Sequence, residues 1–200
     1  MSRVAIFGGT FNPIHNGHML CARECLKQIG CDKIIFVPSN IPPHKTIKTN
    51  KVTALDRFEM CKLAIRENDK FELSDFELKN DCVSYTVNTL KYFSQKISNV
   101  QLYLIVGQDM FDSLMEWKEP ESIFKMADVC VAQRYNGNSA KDLNYIKKLE
   151  HVGARIKFLD LIPFEVSSTF IREQIKSGKD VSQYLPQCIE DYIIKNNLYN

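Results

Sequence analysis

The chain has 200 residues, enough for one domain whose core needs no disulfide bonds for stability. With 26 Lys and Arg against 24 Asp and Glu, its formal charge of +2 excludes the strong positive field of many nucleic-acid-binding proteins. Seven cysteines without a C-x-x-C pair argue against a disulfide framework and favour free thiols in a reducing cytoplasm.

Targeting signals are not evident in the sequence. Residues 3–7 already form an apolar, strand-like run, so we predict no signal peptide. No apolar run approaches the length of about 20 residues that crosses a membrane as a helix. We therefore expect a cytoplasmic protein that has neither nucleic acid nor a membrane among its partners.

Apolar runs rich in β-branched residues alternate with segments of helical periodicity along the chain. The runs predict strands at 3–7, 33–38, 101–107, 128–134 and 155–161, and one strand or two short ones within 70–79. The helical periodicity predicts helices at 16–30, 53–68, 84–96, 167–178 and 185–199. The alternation predicts the fold class α/β, with a doubly wound parallel sheet. We expect one domain, 1–200, with a small C-terminal helical part from about 165 to 200.

Several helix ends carry recognisable capping residues. Thr53, with an acidic residue three positions later, predicts a capping box, and Gly30 predicts the end of the first helix. Ser84 is a candidate N-cap for the third helix. Asp109 could cap a helix that follows the strand at 101–107.

Doubly wound sheets bind ligands in the crevice beyond the carboxyl ends of their strands. The segments predicted at these ends are small, polar or charged: Gly8-Gly9, Pro38-Ser39, Gly107-Gln108-Asp109 and Arg134. We therefore expect functional residues near these four ends.

The first strand ends in the sequence GGTFNPIHNGH, residues 8–18. Gly8 and Gly9 let backbone N–H groups approach an anion, and the N-terminus of the following helix adds positive potential. Two imidazole donors, His15 and His18, suit phosphate oxygens that gain charge during transfer. A tight turn with incidental histidines is the structural alternative, and zinc binding would need a third ligand that the local sequence lacks.

A second candidate anion site is the sequence VSSTFIR, residues 166–172. Ser167, Ser168 and Thr169 offer hydroxyl and backbone donors at the start of a helix. Arg172, one turn later, can bind a phosphate through two N–H groups. An ordinary helix cap followed by a solvated arginine is the alternative.

The two motifs, in this order and at opposite ends of the chain, resemble the nucleotidylyltransferase superfamily that carries the T/H-x-G-H motif. Three internal segments, PSNIPPHK (38–45), SYTVNTL (84–90) and GQDMFDSLMEWKE (107–119), resemble the bacterial nicotinate-nucleotide adenylyltransferases within it. The resemblance runs from residue 3 to the end of the chain. Asn12 departs from it where Asp is frequent, and Lys118 departs where an aromatic residue or His is frequent.

The resemblance implies a Rossmann-like sheet and an enzyme that transfers AMP from ATP to nicotinate mononucleotide without a covalent enzyme intermediate. The products would be deamido-NAD and pyrophosphate, a step of NAD biosynthesis. Mg²⁺ would arrive with the ATP phosphates, and the protein itself would hold no metal. ATP and nicotinate mononucleotide are the implied partners, and a homo-oligomer is left open.

The resemblance also implies which residues form the site. Those implied in catalysis are His15, His18, Lys45 and Arg172. Those implied around ATP are Gly8, Gly9, Thr10, Phe11, His15, His18, Gly107, Asp109, Arg134, Ser167, Ser168, Thr169 and Arg172. Those implied around the nicotinate nucleotide are Asn40, His44, Lys45, Ser84, Tyr85, Thr86, Trp117 and Lys118.

The residue types fit these implied roles. The single tryptophan, Trp117, has charged neighbours, which favours a stacking surface for a pyridinium ring over a core position. The helix start at 84–86 offers donors to a carboxylate, or is an ordinary cap. Asp109 can accept from ribose hydroxyls. Lys45, on a proline-stiffened loop, can meet the triphosphate or can be an ordinary solvated charge.

Two other functions remain open from the sequence. A sister adenylyltransferase would use nicotinamide mononucleotide or phosphopantetheine as its acceptor, and a non-catalytic nucleotide-sensing module would bind nucleotides only. Acceptor preference tests the first alternative, and pyrophosphate release tests the second.

Overall fold

The structure, a computed structural model, describes residues 1–43, 52–80, 82–132, 143–161 and 166–200. Its centre is one six-stranded sheet in which all neighbouring strands are parallel. The strands are β1 (Ser2–Gly9), β2 (Lys33–Pro38), β3 (Phe71–Leu73), β4 (Val100–Gly107), β5 (Ala127–Ala132) and β6 (Ile156–Leu159). The predicted parallel sheet is thereby confirmed.

The strand order opens a crevice at one point of this sheet. The order β3-β2-β1-β4-β5-β6 is the Rossmann order, which reverses between β1 and β4, where ligands bind in sheets of this class. The pairing between β1 and β4 ends at Ile6 and Leu104, although β1 continues to Gly9 and β4 to Gly107. The two strands therefore part over their last residues, and the gap between them is the crevice.

Helices cover both faces of the sheet in the described part of the chain. They are α1 (Asn16–Ile29), α2 (Ala54–Ile65), α3 (Thr86–Lys96), α4 (Gln108–Phe111), α5 (Pro120–Met126), α6 (Leu143–His151), α7 (Ser168–Lys176) and α8 (Gln187–Lys195), with a short 3-10 helix at Leu114–Glu116. None of these helices is long and apolar enough to cross a membrane.

Successive side chains of β1 enter two different cores. Ala5 and Phe7 pack with α1, α2, α7 and α8 on one face. Val4 and Ile6 pack with α3, α5 and α6 on the other. Because both faces of the strand are buried, its sequence is a continuous apolar run rather than an alternating one.

Local capping signals set several helix ends as predicted. The hydroxyl of Thr53 accepts from the N–H of Asp56 at 3.1 Å, and the carboxylate of Asp56 accepts from the N–H of Thr53 at 2.8 Å. These two bonds complete the capping box of α2. Gly30 ends α1 in the left-handed conformation, with a φ of 70°.

Two predicted caps were wrong. Ser84 does not cap α3, because the parallel bridge between Ile41 and Val83 brings its hydroxyl to the N–H of Asn40, from which it accepts at 3.1 Å. Tyr85 is the N-cap residue of α3 instead, without a side-chain hydrogen bond. Asp109 is not a cap either, since it lies inside the first turn of α4.

The strand predicted over 70–79 was too long. The observed strand β3 ends at Leu73, and residues 76–79 form a turn. The hydroxyl of Ser74 accepts from the N–H of Phe76 at 3.2 Å, a local bond that turns the chain away from the sheet.

Candidate active site

The crevice between β1 and β4 is lined by two glycines. A Cβ added at Gly8 or Gly107 would meet no described atom within 4 Å. Both residues are exposed at the carboxyl ends of their strands. The space beside them is therefore open to a ligand that contacts the backbone.

Gly9 is constrained differently, because Phe11 folds back onto it. A Cβ added at Gly9 would lie 3.0 Å from Cζ of Phe11. Phe11 is buried, with a φ of 47°, and its ring lies 5.1 Å from the ring of His18, edge to face. The Phe11 side chain therefore packs beneath the site, and a ligand would meet this residue through its backbone.

His15 and His18 lie together at the start of α1. Their rings stack with centroids 3.7 Å apart and an angle of 28° between the planes. The backbone N–H of His15 donates to Nδ1 of His18 at 3.2 Å. Because Nδ1 accepts this bond, the neutral His18 ring carries its proton on Nε2, which makes Nε2 a hydrogen-bond donor.

The N-terminus of α1 is less open to an anion than the sequence suggested. The N–H of Asn16 donates to the carbonyl of Tyr184 at 2.8 Å, and the side-chain amide of Asn16 donates to the carbonyl of Gln183 at 3.1 Å. The N–H of His18 donates to the carbonyl of His15 at 2.9 Å. These bonds occupy donors that would otherwise meet a phosphate, which leaves the glycines and the imidazoles as the candidate groups.

The second motif packs directly against the first. The hydroxyl of Ser168 donates to the carbonyl of Pro13 at 2.9 Å. Nη1 of Arg172 donates to the carbonyl of Asn12 at 2.8 Å. The two candidate anion sites, which lie at opposite ends of the sequence, are therefore parts of one site.

Further contacts fix the orientation of this second motif. Nη2 of Arg172 donates to the hydroxyl of Thr169 at 3.1 Å, and Ser167 caps α7. A Cβ added at Gly17 would lie 2.9 Å from Cγ1 of Val166, so α1 can approach the start of α7 only with glycine at this position. The capping alternative for Ser167 is thus realised, while Arg172 is aimed at the loop after β1.

The start of α3 forms the side of the site that the resemblance associates with the acceptor. The hydroxyl of Ser84 is already engaged with Asn40, as described above. The N–H groups of Thr86 and Val87 lie in the first turn, where the helix supplies no carbonyl acceptor. The donors that this turn can offer to a ligand are therefore its backbone N–H groups rather than the Ser84 hydroxyl.

The segment after β4 approaches the start of α3. Nζ of Lys118 lies 4.5 Å from the centroid of the Tyr85 ring. Trp117 is half-buried against the second core, and its buried Nε1 has no hydrogen-bond partner among the described residues. Asp109 is exposed at the end of β4, beside Gly107.

Three residues implied in the site, His44, Lys45 and Arg134, lie outside the described residues. Within the described ranges, no three His, Cys, Asp or Glu side chains are grouped so that they could hold a metal ion.

Comparisons with known proteins identify the family. A family model described as cytidylyltransferase-like matches residues 6–174. A protein of Clostridium botulinum (strain Loch Maree / Type A3) named "Probable nicotinate-nucleotide adenylyltransferase" is 41% identical over 201 residues, which cover 100% of both chains. The chain belongs to the nicotinate-nucleotide adenylyltransferase family. A protein of the same name from Dictyoglomus thermophilum (strain ATCC 35947 / DSM 3960 / H-6-12) is 38% identical over 98% of this chain and 99% of its own.

Solved structures of adenylyltransferases have the same fold. The nicotinic acid mononucleotide adenylyltransferase of Plasmodium falciparum, complexed with NaAD, superposes with a TM-score of 0.81 at 21% identity, covering 100% of this chain and 98% of that one. The same enzyme complexed with APC gives a TM-score of 0.77 at 20% identity, covering 100% of this chain and 98% of that one. The predicted Rossmann-like fold and the predicted enzyme class, a nucleotidyltransferase, are both confirmed.

Arg57, a buried residue of α2, was not predicted from the sequence of this adenylyltransferase. Its Nη1 donates to the carbonyl of Thr10 at 2.7 Å and its Nη2 to the carbonyl of Asn40 at 3.4 Å. The signal was available: Met60 and Cys61, three and four residues later, are buried, so helical periodicity places Arg57 on the same face.

A buried carboxylate beside α3 was not predicted from the sequence either. Glu77 is 8% exposed and accepts from the hydroxyl of Thr89 at 2.5 Å. It also shares a hydrogen bond with the hydroxyl of Ser84. Burial raises the pKa of Glu77, although these two hydrogen bonds oppose the effect. Nothing in the local sequence, which is rich in charge, distinguishes this glutamate from its exposed neighbours.

Proposed function

We propose that this chain transfers AMP from ATP to nicotinate mononucleotide, forming deamido-NAD and pyrophosphate. An oxygen of the acceptor 5′-phosphate attacks the α-phosphorus of ATP. A new P–O bond forms, the bond from the α-phosphorus to the bridging oxygen breaks, and pyrophosphate leaves with the electron pair. The nucleophile is already an anion, so the reaction needs positioning and charge stabilisation rather than a general base.

The loop after β1 is proposed to hold the reacting phosphates of ATP. Gly8 and Gly9 offer the backbone, with Thr10 and Phe11 continuing it, and the open space beside Gly8 accommodates the nucleotide. Nε2–H of His18 donates to an α-phosphate oxygen as its charge grows, and the stacked His15 supports this ring or meets the phosphate chain.

Other groups are proposed at the ends of the ATP molecule. Arg172, assisted by the donors of the 167–169 segment, meets the β- and γ-phosphates from the start of α7. Asp109 and the backbone of Gly107 border the ribose and adenine at the end of β4. Lys45 and Arg134 are proposed to add positive charge from the loops that follow β2 and β5.

The acceptor is proposed to bind on the α3 side. The carboxylate of the nicotinate ring takes donors from the turn of Tyr85 and Thr86, with Lys118 close to the same turn. Trp117 supplies a face for the pyridinium ring. Asn40 and His44 line the connection to the phosphate, and Ser84 acts by orienting this segment, since its hydroxyl is engaged by Asn40 and Glu77.

Mg²⁺ is proposed to enter as the complex with the triphosphate, as part of the substrate. A cation of this kind keeps several water molecules and commonly binds through substrate phosphates. It would neutralise charge on the leaving pyrophosphate.

One observation carries the proposal: two motifs from opposite ends of the chain meet beside an open, glycine-lined crevice, through the bonds of Ser168 and Arg172 to the loop after β1. The test is incubation with ATP, Mg²⁺ and one acceptor at a time, namely nicotinate mononucleotide, nicotinamide mononucleotide or phosphopantetheine. We expect pyrophosphate and a dinucleotide to form fastest with the nicotinate nucleotide. Equal rates with nicotinamide mononucleotide would refute the acceptor assignment, and absence of pyrophosphate with every acceptor would refute the activity.

A further inference from the structure

Arg57 is one of the largest fully buried side chains in the described residues, at 1% exposure. It projects from α2 towards the carboxyl ends of β1 and β2. The carbonyl of Thr10 that it binds follows β1, and the carbonyl of Asn40 that it binds follows β2. Its guanidinium therefore lies beneath the candidate active site and between two of its loops.

Burial of a cation is unfavourable unless hydrogen bonds or opposite charges compensate for the lost water. Among the described residues, no Asp or Glu forms an ion pair with Arg57, and its buried Nε has no hydrogen-bond partner. Burial accordingly lowers the pKa of this guanidinium. The compensating hydrogen bonds go to the carbonyls of Thr10 and Asn40. Because hydrogen bonds are directional, Arg57 fixes the backbone at Thr10 relative to the backbone at Asn40.

Each of the two segments belongs to a different half of the site. Thr10 lies between Gly9 and Phe11, the residue whose ring contacts His18. On the other side, Asn40 donates its N–H to Ser84 at the start of α3. One side chain thus connects the loop proposed for ATP with the loop proposed for the acceptor.

We propose that Arg57 is a positioning residue that sets the distance and angle between the two substrates. Its planar fork holds the carbonyls of Thr10 and Asn40 together, so that the acceptor phosphate faces the α-phosphorus in line. The inference rests on the proposed function, because it concerns the relative placement of the two substrates of that reaction.

The test compares Arg57→Met with wild type in steady-state kinetics. Methionine fills most of the volume but has no donor for either carbonyl. Because a misplacement of about 1 Å costs up to about 100-fold in rate, we expect kcat to fall by ~10- to 100-fold. KM for each substrate, and the affinity for an ATP analogue measured by calorimetry, should change by less than about threefold, since each loop keeps its own contacts.

Arg66→Met is the matched control. Arg66 is an exposed arginine that follows the last turn of the same helix, and its ion pair with Glu67 spans 3.6 Å at the surface. Removal of a surface pair should leave kcat unchanged. Arg57→Lys keeps the positive charge but replaces the planar guanidinium, with its two donating nitrogens, by a single ammonium group. It should therefore give a kcat between those of wild type and Arg57→Met.

Chemical rescue separates positioning from a fold defect. In Arg57→Ala, millimolar guanidinium should restore part of kcat, whereas sodium at the same ionic strength should not. A melting temperature well above the assay temperature in each variant would show that the loss is not unfolding. If Arg57→Met does not fold, Arg57→Lys provides the kinetic test, and an unchanged kcat in that variant would overturn the proposal.

The possible outcomes distinguish the two proposals. A wild-type protein that releases no pyrophosphate would refute the function itself. An active wild type with full kcat in Arg57→Met, or with a loss of ATP affinity equal to the loss of kcat/KM, would refute only the positioning role.

Discussion

The backbone N–H of His15 donates to Nδ1 of His18 across 3.2 Å, within the first turn of α1. This bond does two things, because it completes the N-terminal cap of the helix and leaves Nε2 as the protonated nitrogen of the His18 ring. The helix that carries His18 thus orients the donor that we propose for a phosphate oxygen, without needing a ligand to do so.

The two functions of His18 can be separated by substitution. His18→Ala should lower kcat by ~100- to 1,000-fold, the usual effect of losing one donor to a transition-state charge. His18→Asn should lower kcat as much but keep the wild-type melting temperature, because its carbonyl oxygen can still accept the N–H of His15. Kinetics and thermal unfolding of both variants check this prediction, and near-normal turnover in His18→Asn would contradict it.

Gly8 should be required for ligand binding but not for folding. A Cβ at this position meets no described atom within 4 Å, so Gly8→Ala should fold with an unchanged or slightly higher melting temperature. The same Cβ would stand where the nucleotide is proposed to approach the backbone, so KM for ATP should rise by at least about tenfold, the effect of losing ~1.4 kcal/mol.

Gly153→Ala and Gly17→Ala are useful comparisons for this variant. Gly153 lies in the connection from α6 to the amino end of β6, whereas the crevice lies at the carboxyl ends of β1 and β4. Its φ is 92°, so alanine there should lower stability without changing KM. At Gly17 the added Cβ would lie 2.9 Å from Val166, so both stability and activity should fall. Full ATP affinity in Gly8→Ala would show that the open space is not used.

Lys118 should contribute to the choice of acceptor. Its Nζ lies 4.5 Å from the ring of Tyr85, at the turn proposed for the nicotinate carboxylate. Lys118→Met should raise KM for nicotinate mononucleotide by ~3- to 5-fold, a typical size for an exposed charge, and leave KM for ATP unchanged. The exposed Lys125→Met variant on α5 is the control.

Salt provides an independent check of this electrostatic role. The difference in KM between wild type and Lys118→Met should shrink as ionic strength rises, because exposed charges are screened. A difference that persists at high salt, or that appears equally for a nicotinamide acceptor, would point to lost packing instead.

Glu77 should make stability depend on pH in a predictable direction. Burial raises its pKa above the ordinary 4.5, so the folded protein holds this proton more tightly than the unfolded chain does. Between pH 4.5 and the raised pKa, the free energy of unfolding should therefore decrease as pH rises. Glu77→Gln removes the titration and should remove this decrease.

Urea unfolding of wild type and Glu77→Gln across the acidic range measures the effect. The other carboxyl groups are common to both proteins, so subtracting the free energy of unfolding of wild type from that of Glu77→Gln isolates the titration of Glu77. This difference should increase with pH through that window. Glu67→Gln, at an exposed position, should run parallel to wild type. A parallel profile for Glu77→Gln would show that the carboxyl group titrates normally.

Most of the sheet could be predicted from the sequence, because its strands are short apolar runs, and three of them, β1, β2 and β4, end at Gly or Pro. The ends of α1 and α2 could also be predicted, since Gly30 and the Thr53 capping box act on their own neighbours. The strand predicted beyond Leu73 and the cap predicted at Ser84 failed where another hydrogen bond competed for the same polar group.

A helix after the strand at 101–107 was anticipated without bounds, whereas α5 and α6 were not predicted. α4 and α5 are short, with bounds Gln108–Phe111 and Pro120–Met126, and so they carry few turns of periodic pattern. Their positions are set by packing on β4 and β5 rather than by a strong local signal.

The sequence alone determined the fold class and the two motifs proposed to bind phosphate, because hydrophobic periodicity, the positions of glycines and motif spacing are properties of neighbouring residues. Only the tertiary structure decided how those parts meet. The bonds from Arg172 to Asn12 and from Arg57 to Thr10 join residues 160 and 47 positions apart. No local pattern encodes such distances, since they arise from helices that pack on both faces of one sheet and bring distant loops to a single crevice.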